Sequence, residues 1–168
     1  MLFIKNATVN DIPMIRALAM QVWPQTYTPI LGNEQVSYML DLFYAPAALE
    51  EQMNMWHRFI ICYSDDQPMA FASWSEAEEH IFKLHKIYIL PSMQGKGAGR
   101  EILNYIVQEI KKAGATELRL NVNRYNYSAK IFYEKTGFNH LMDEDIDIGN
   151  GYFMNDHVLV LTPGPSFG

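Results

Sequence analysis

The stretch Gln94-Gly95-Lys96-Gly97-Ala98-Gly99-Arg100 decides how this chain is read. A β-rich run, Leu84 to Leu90, leads into it, and an amphipathic segment, Ile102 to Lys111, leads out. A helix N-terminus carries unpaired N–H groups and the positive end of the helix dipole, so it suits a pyrophosphate. Glycines lack the Cβ atoms that would hold an anion away from those N–H groups. The stretch is not a P-loop, because Gly-Lys-Ser/Thr occurs nowhere in the sequence. It is not a dinucleotide fingerprint either: counted from Gly95, the third glycine falls on Arg100.

Gln94, Gly97 and Gly99 satisfy a third spacing, Gln/Arg-x-x-Gly-x-Gly/Ala. Before it, Ile87-Tyr88-Ile89-Leu90-Pro91 reads as a strand closing in Val/Ile-x-Pro. After it, Leu120-Asn121-Val122-Asn123 leads to Asn126, Ala129, Phe132-Tyr133-Glu134-Lys135 and Gly137-Phe138. With both blocks in this order, the chain resembles the GNAT superfamily of N-acetyltransferases, which use acetyl-CoA. The likeness is sharp from about Leu84 to Phe138 and weaker outside it.

The resemblance implies a role for each matched position. Backbone N–H groups of Gly95, Lys96, Gly97, Ala98, Gly99 and Arg100 would hold the pyrophosphate, and Gln94 would brace the loop. The strand Ile87-Tyr88-Ile89 would splay from its neighbour. Its backbone would then pair with the pantetheine arm, with one N–H acting as an oxyanion donor. Asn126 would touch the CoA arm, Lys135 would reach the nucleotide, and Tyr133 would protonate the departing thiolate. Each position also has a plainer reading. Asn126 is a good helix N-cap, Tyr133 a core aromatic, Lys96, Arg100 and Lys135 solvated cations, and the Ile87 run a core strand.

The base that deprotonates the amine is the least determined part. Glu76, closing the third strand, ranks first, and His85 on the central strand is the alternative. Glu76 also belongs to an acidic turn with Glu78 and Glu79. His80 and His85 lack the spacing of a helical metal site, and with no cysteine partner no metal site is read here.

Composition narrows the class. The 168 residues are 49% hydrophobic and 19% charged, as expected of one globular domain spanning 1–168. No apolar run reaches membrane-spanning length, and Met1-Leu2-Phe3-Ile4-Lys5 is not laid out as a signal peptide. The single cysteine, Cys62, lies in an apolar strand, which fits a packed thiol and a cytoplasmic location. A net charge of −6 argues against nucleic acid as a partner and suits a cationic small molecule.

The remaining segments alternate in type. Phe3 to Asn6 reads as a strand, and Thr8 to Asp11 as a capping box before a helix with Ile12, Ile15, Ala19 and Val22 on one face. A second helix starts near Asn33, and Ala47 to Met53 makes a short third. Strands are expected at Phe59–Tyr63, Met69–Trp74, Ile81–Leu90 and Leu118–Val122, with a helix from Asn126 to Gly137 after them. Two closing strands, Leu141–Ile148 and Tyr152–Leu161, flank Gly149-Asn150-Gly151. The order β-α-α-β-β-β-α-β-α-β-β is that of the GNAT acyl-CoA N-acyltransferase fold, an α/β (α+β) architecture with a mixed sheet of about seven strands flanked by helices.

In that family the first two helices and the last hairpin form the acceptor pocket. Those segments carry Trp23, Tyr27, Asp41 and Asp147, which are the candidates for binding a small-molecule amine. The Trp23-Pro24-Gln25-Thr26-Tyr27 stretch loosely resembles bacterial spermidine/spermine-type acetyltransferases. Aromatic faces and carboxylates would hold a protonated polyamine. An amino acid, an antibiotic amine or a protein N-terminus are the other acceptors. A non-catalytic CoA-binding or regulatory domain is the rival reading. Dimers are common in the family, which makes the hydrophobic C-terminal strand a candidate homodimer interface.

Overall fold

A computed structural model describes residues 2–164. Its strands are β1 (Leu2–Asn6), β2 (Arg58–Ser64), β3 (Gln67–Glu78), β4 (Ile81–Ile89), β5 (Glu117–Asn123), β6 (Asn139–Gly149) and β7 (Tyr152–Leu161). Its helices are α1 (Ile12–Leu31), α2 (Asn33–Tyr44), α3 (Pro46–Asn54), α4 (Ala98–Lys112) and α5 (Tyr127–Lys135). The seven strands form a mixed sheet in the order β1-β2-β3-β4-β5-β7-β6. Residues divide into two compact units. One holds the chain up to Ser75 together with Lys86–Ile102; the other holds Glu76–His85 and the chain from Leu103 onward.

In the first unit, β1, β2 and β3 are paired antiparallel, with the three helices α1–α3 inserted between β1 and β2. Phe59 to Cys62 and Met69 to Trp74 are buried without alternation, as in strands covered on both faces. The β2–β3 turn is tight because Asp65 and Asp66 both take positive φ, 49° and 63°. Thr8 and Asp11 form the expected capping box: the Thr8 N–H donates to Asp11 Oδ2 at 2.9 Å. Ile12, Ile15, Ala19 and Val22 are all buried, as their spacing predicts.

The sequence does not lead one to expect α1 to pass through Pro24 and Pro29 and stop only at Gly32. Each proline removes one intrahelical donor, a loss of roughly 3 kcal/mol or more in an unsupported helix. Here Trp23 offsets it by burying its ring, with only 5% exposed. Tertiary packing thus overrides local propensity.

In the second unit, β4 pairs with β5 in parallel, from Ile81↔Glu117 to Leu84↔Leu120, while β4 itself continues to Ile89. A parallel pair needs a long crossover, and α4 supplies it. Ile102, Leu103, Ile106, Val107 and Ile110 form its fully buried stripe. Strand β7 pairs with β5 on one edge and β6 on the other, both antiparallel. Asn150 and Gly151 close the β6–β7 hairpin with φ of 56° and 79°, as the Asn-Gly pair predicts. Both edges of β7 are hydrogen-bonded within the chain, and Val158, Leu159 and Leu161 are buried in it.

Candidate active site

The glycine stretch joins β4 to α4 through one 3-10 turn, Pro91–Met93. The helix begins at Ala98, four residues before the apolar periodicity becomes visible at Ile102. Glycine has no side chain to reveal a face, so the first turn carried no hydrophobic signal. The first intrahelical bond here is Glu101 N–H to Gly97 O at 3.2 Å. The N–H groups of Ala98, Gly99 and Arg100 therefore lie ahead of it at the positive end of the dipole. Gly95 and Gly97 take φ of 78° and 82°, and a Cβ at either would meet no protein atom within 4 Å. Glycine is needed there for backbone conformation, and the space beside the loop is open. Gln94 Nε2 donates to Ile89 O at 3.0 Å, tying the loop to the end of β4. Gln94 to Gly97 and Arg100 are exposed.

Tyr133 is set by how α5 starts and stops. The chain leaves β5 through a turn in which Asn123 Oδ1 accepts the Tyr125 N–H at 2.9 Å. Asn126 caps α5, its Oδ1 accepting from Ala129 N–H at 3.4 Å. The helix ends in a Schellman motif: Phe138 N–H bonds Tyr133 O and Gly137 N–H bonds Glu134 O, each at 3.1 Å. Gly137 has φ of 108°, which few other residues tolerate. The Phe138 ring then packs edge-on against Tyr133 at 5.5 Å. Gly-Phe after Tyr133 is therefore a helix stop that also fixes the tyrosine ring, which is 9% exposed. Lys135, in the last turn, is exposed.

The first unit also contains an aromatic cluster. Trp23 and Tyr27 of α1, Tyr44 of α2, Phe71 of β3 and Tyr88 of β4 meet with ring centroids 4.6–6.4 Å apart. The Trp23 indole N–H donates to Tyr44 OH at 3.2 Å, and the Tyr27 and Tyr88 hydroxyls lie 3.2 Å apart. Beside it, Met20, Gln21, Pro24 and Gln25 of α1 and Leu90 to Ser92 line a groove of about 400 Å³.

Residues 28–152 match the acetyltransferase (GNAT) domain family. The chain belongs to the GNAT family of N-acetyltransferases. An uncharacterized N-acetyltransferase of Mycobacterium tuberculosis is 26% identical over 153 residues, covering 90% of this chain and 97% of that protein. The [ribosomal protein bS18]-alanine N-acetyltransferase of Haemophilus influenzae is 39% identical over 70 residues, 42% of this chain and 44% of that protein. Among solved structures, the PaiA N-acetyltransferase of Thermoplasma acidophilum in complex with coenzyme A superposes with a TM-score of 0.82. It is 22% identical and covers 97% of this chain and 99% of that one.

Within this GNAT chain, several sequence-derived site residues have plainer surroundings than expected. Trp23 is a core residue whose one polar atom is bonded to Tyr44, so it contributes packing, with Tyr27 half-buried next to it. Asp41 is exposed on α2. Asp147 is exposed on β6, and its Oδ1 accepts the Gly149 N–H at 2.8 Å, shaping the hairpin turn. Glu76 lies inside β3, not at its end, and is exposed; its Oε2 accepts the His80 N–H at 2.9 Å. That bond ties one carboxylate oxygen of Glu76 into the β3–β4 turn.

One residue the sequence reading passed over stands out. Lys86 shares a face of β4 with Tyr88 and donates to Gln52 Oε1 at 2.8 Å. Its Nζ lies 5.4 Å from the Tyr44 ring centroid and 5.7 Å from that of Phe59. Desolvation of the ammonium lowers its pKa from 10.5 to about 8. The apolar neighbours that made this strand look like simple core are what shift it. Between about pH 8 and 10.5 the unfolded chain holds a proton that the folded chain has lost. Stability from this group therefore rises with pH across that window, and the full penalty of burying the charge applies below it. The stability of Lys86→Met relative to wild type is expected to fall by on the order of 3 kcal/mol between pH 7 and 10.5. Urea unfolding of both proteins across that range measures it, and parallel curves would remove the shift.

Proposed function

We propose that this chain transfers the acetyl group of acetyl-CoA to a primary amine by direct attack in a ternary complex. The acceptor we favour is a small cationic amine of the polyamine type, in the cytoplasm. The glycine loop carries the reading: two positive-φ glycines, a bracing Gln94 and the free first turn of α4 form an anion cradle. Gly95, Lys96, Gly97, Ala98, Gly99 and Arg100 would bind the pyrophosphate through their N–H groups. The backbone of Ile87, Tyr88 and Ile89 would receive the pantetheine arm, with one N–H stabilising the thioester oxygen as it gains charge. Asn126 and Lys135 would contact the arm and the nucleotide. The amine must lose its proton before it attacks, because an alkyl ammonium has a pKa near ~10. Tyr133 would donate a proton to the sulfur as the carbon–sulfur bond breaks.

The polyamine assignment draws on the charge of −6, the exposed Asp41 and Asp147, and the half-buried Tyr27 of α1. Carboxylates would hold the distal ammonium groups while one neutral nitrogen attacks. A second reading has its own support: the partial relatives in Haemophilus influenzae and Escherichia coli are named for acetylating the alanine of a ribosomal protein. A competition assay separates the two. Spermidine, a singly charged amine and a peptide beginning with alanine are each offered with acetyl-CoA at low and high salt. The polyamine reading predicts the highest kcat/KM for spermidine, falling as salt rises, because exposed ion pairs are screened over about 8 Å at physiological ionic strength. It also predicts that Asp41→Asn raises KM for spermidine more than for the monoamine. Preference for the peptide would overturn the polyamine assignment and leave acetyl transfer standing.

A further inference from the structure

The β6–β7 hairpin gathers three metal-ligating side chains that the sequence keeps apart. His140 and Asp143 are on β6, and His157 is on β7. Side chains three apart on a regular strand point to opposite faces. Here the register shifts between His140 and Met142, so one extra residue, Leu141, is accommodated on β6. A bulge of this kind reverses the alternation and returns His140 to the face of Asp143. Asp143 pairs directly with His157 across the ladder. As a result Asp143 Oδ1 lies 2.7 Å from His140 Nε2 and 2.6 Å from His157 Nδ1. All three donor groups lie within 4.8 Å of one another. The imidazole rings stand edge to face at 5.3 Å.

We propose that His140 Nε2, His157 Nδ1 and the Asp143 carboxylate form a binding site for a divalent transition-metal ion, with zinc the best match. Two imidazoles and one carboxylate supply three of the four positions that zinc takes, and water completes the tetrahedron. Tetrahedral bonds of about 2.0–2.1 Å place ligand atoms about 3.3 Å apart, so the two nitrogen–oxygen separations, 2.7 and 2.6 Å here, open by about 0.6–0.7 Å around an ion. With 46% of the His140 side chain and 47% of the Asp143 side chain exposed, both have room to turn. The exposure also gives the ion a path in.

Arg124 is the cation that competes for this carboxylate. Its Nε is 3.9 Å from Asp143 Oδ2, the oxygen turned away from the histidines. Its other contacts draw it elsewhere, to Asp145 Oδ1 at 2.8 Å and to the Glu144 carbonyl at 3.0 Å. Hydrogen bonds from the two histidines, both to Oδ1, hold the Asp143 carboxylate in place between the rings. The ion would clamp β6 to β7 from the outer strand of the sheet. None of this depends on acetyl transfer.

The test uses the full chain without a polyhistidine tag. Zinc is titrated by calorimetry and cobalt(II) by its visible absorption, against wild type, His140→Ala, His157→Ala and the double variant. One ion per chain is expected, with cobalt bands typical of a four-coordinate site and a zinc-dependent rise in Tm. Each single variant should bind at least about 10–100-fold more weakly, the scale that loss of even an outer partner produces. Metal-free Tm values establish that the variants fold. His140, being exposed, serves as the test position if His157→Ala does not fold. Absence of stoichiometric binding in wild type, or retained binding in the double variant through His57, His80 or His85, overturns the site.

Discussion

Replacing Tyr133 with Phe is expected to lower kcat by about 10²–10⁴-fold, the range that general acid catalysis contributes, wherever chemistry limits turnover. The departing thiolate belongs to a thiol with a pKa near ~8.5, and a tyrosine hydroxyl at ~10 can deliver a proton as negative charge builds on sulfur. The substitution is clean because the ring stays. Tyr133 packs edge-on against Phe132 and Phe138, and its backbone carbonyl anchors both Phe138 and Thr136. Phe keeps these ring and backbone contacts, so the variant should fold and its acetyl-CoA affinity should change little. Pre-steady-state thiol release separates the chemical step from product release. Wild-type kcat in the variant, with chemistry demonstrably limiting, rules the role out.

The second large effect is expected at Gly97. Its φ of 82° costs an L-residue roughly 1–2 kcal/mol, and more when the side chain is branched at Cβ. Beyond the chain neighbours, a Cβ there meets no protein atom within 4 Å, so the added carbon itself finds open space. The loop would relieve its strain by turning the peptide that precedes Ala98, re-aiming the N–H groups proposed to bind the pyrophosphate. The new methyl groups also enter the open space beside them. Acetyl-CoA affinity should fall by at least about 100-fold, which corresponds to about 2.8 kcal/mol. The exposed loop carries little of the core, so Tm should drop far less than binding. Calorimetry that gave equal affinities would detach the cofactor from this loop.

How much of this was legible beforehand depended on whether the signal was local. Turn and cap chemistry was readable because it acts within a few residues. Asn150-Gly151 closes its hairpin, the Thr8–Asp11 box caps the 3-10 turn that leads into α1, and Gly137 stops α5. The first turn of α4 was missed because Ala98 and Gly99 show no hydrophobic face. The length of α1 was missed because proline ends helices locally, whereas the burial of Trp23 is decided by α2 and β4. Glu76 and Asp147 are acidic residues near turns, and both spend a carboxylate oxygen on a turn N–H. Lys86 was hidden by its apolar neighbours. The His140, Asp143 and His157 cluster needs both a cross-strand pairing and a bulge, and neither can be read from spacing along one strand.

Acetyl transfer itself is tested most directly by incubating the chain with acetyl-CoA and a mixture of amines while following thiol release and the masses of the amines. The reading predicts free CoA and one acetylated amine in equal amounts, with release abolished when amines are omitted. Tight acetyl-CoA binding with no acetyl group on any amine, from polyamine to N-terminal peptide, would contradict it and mark a CoA-binding domain without catalysis.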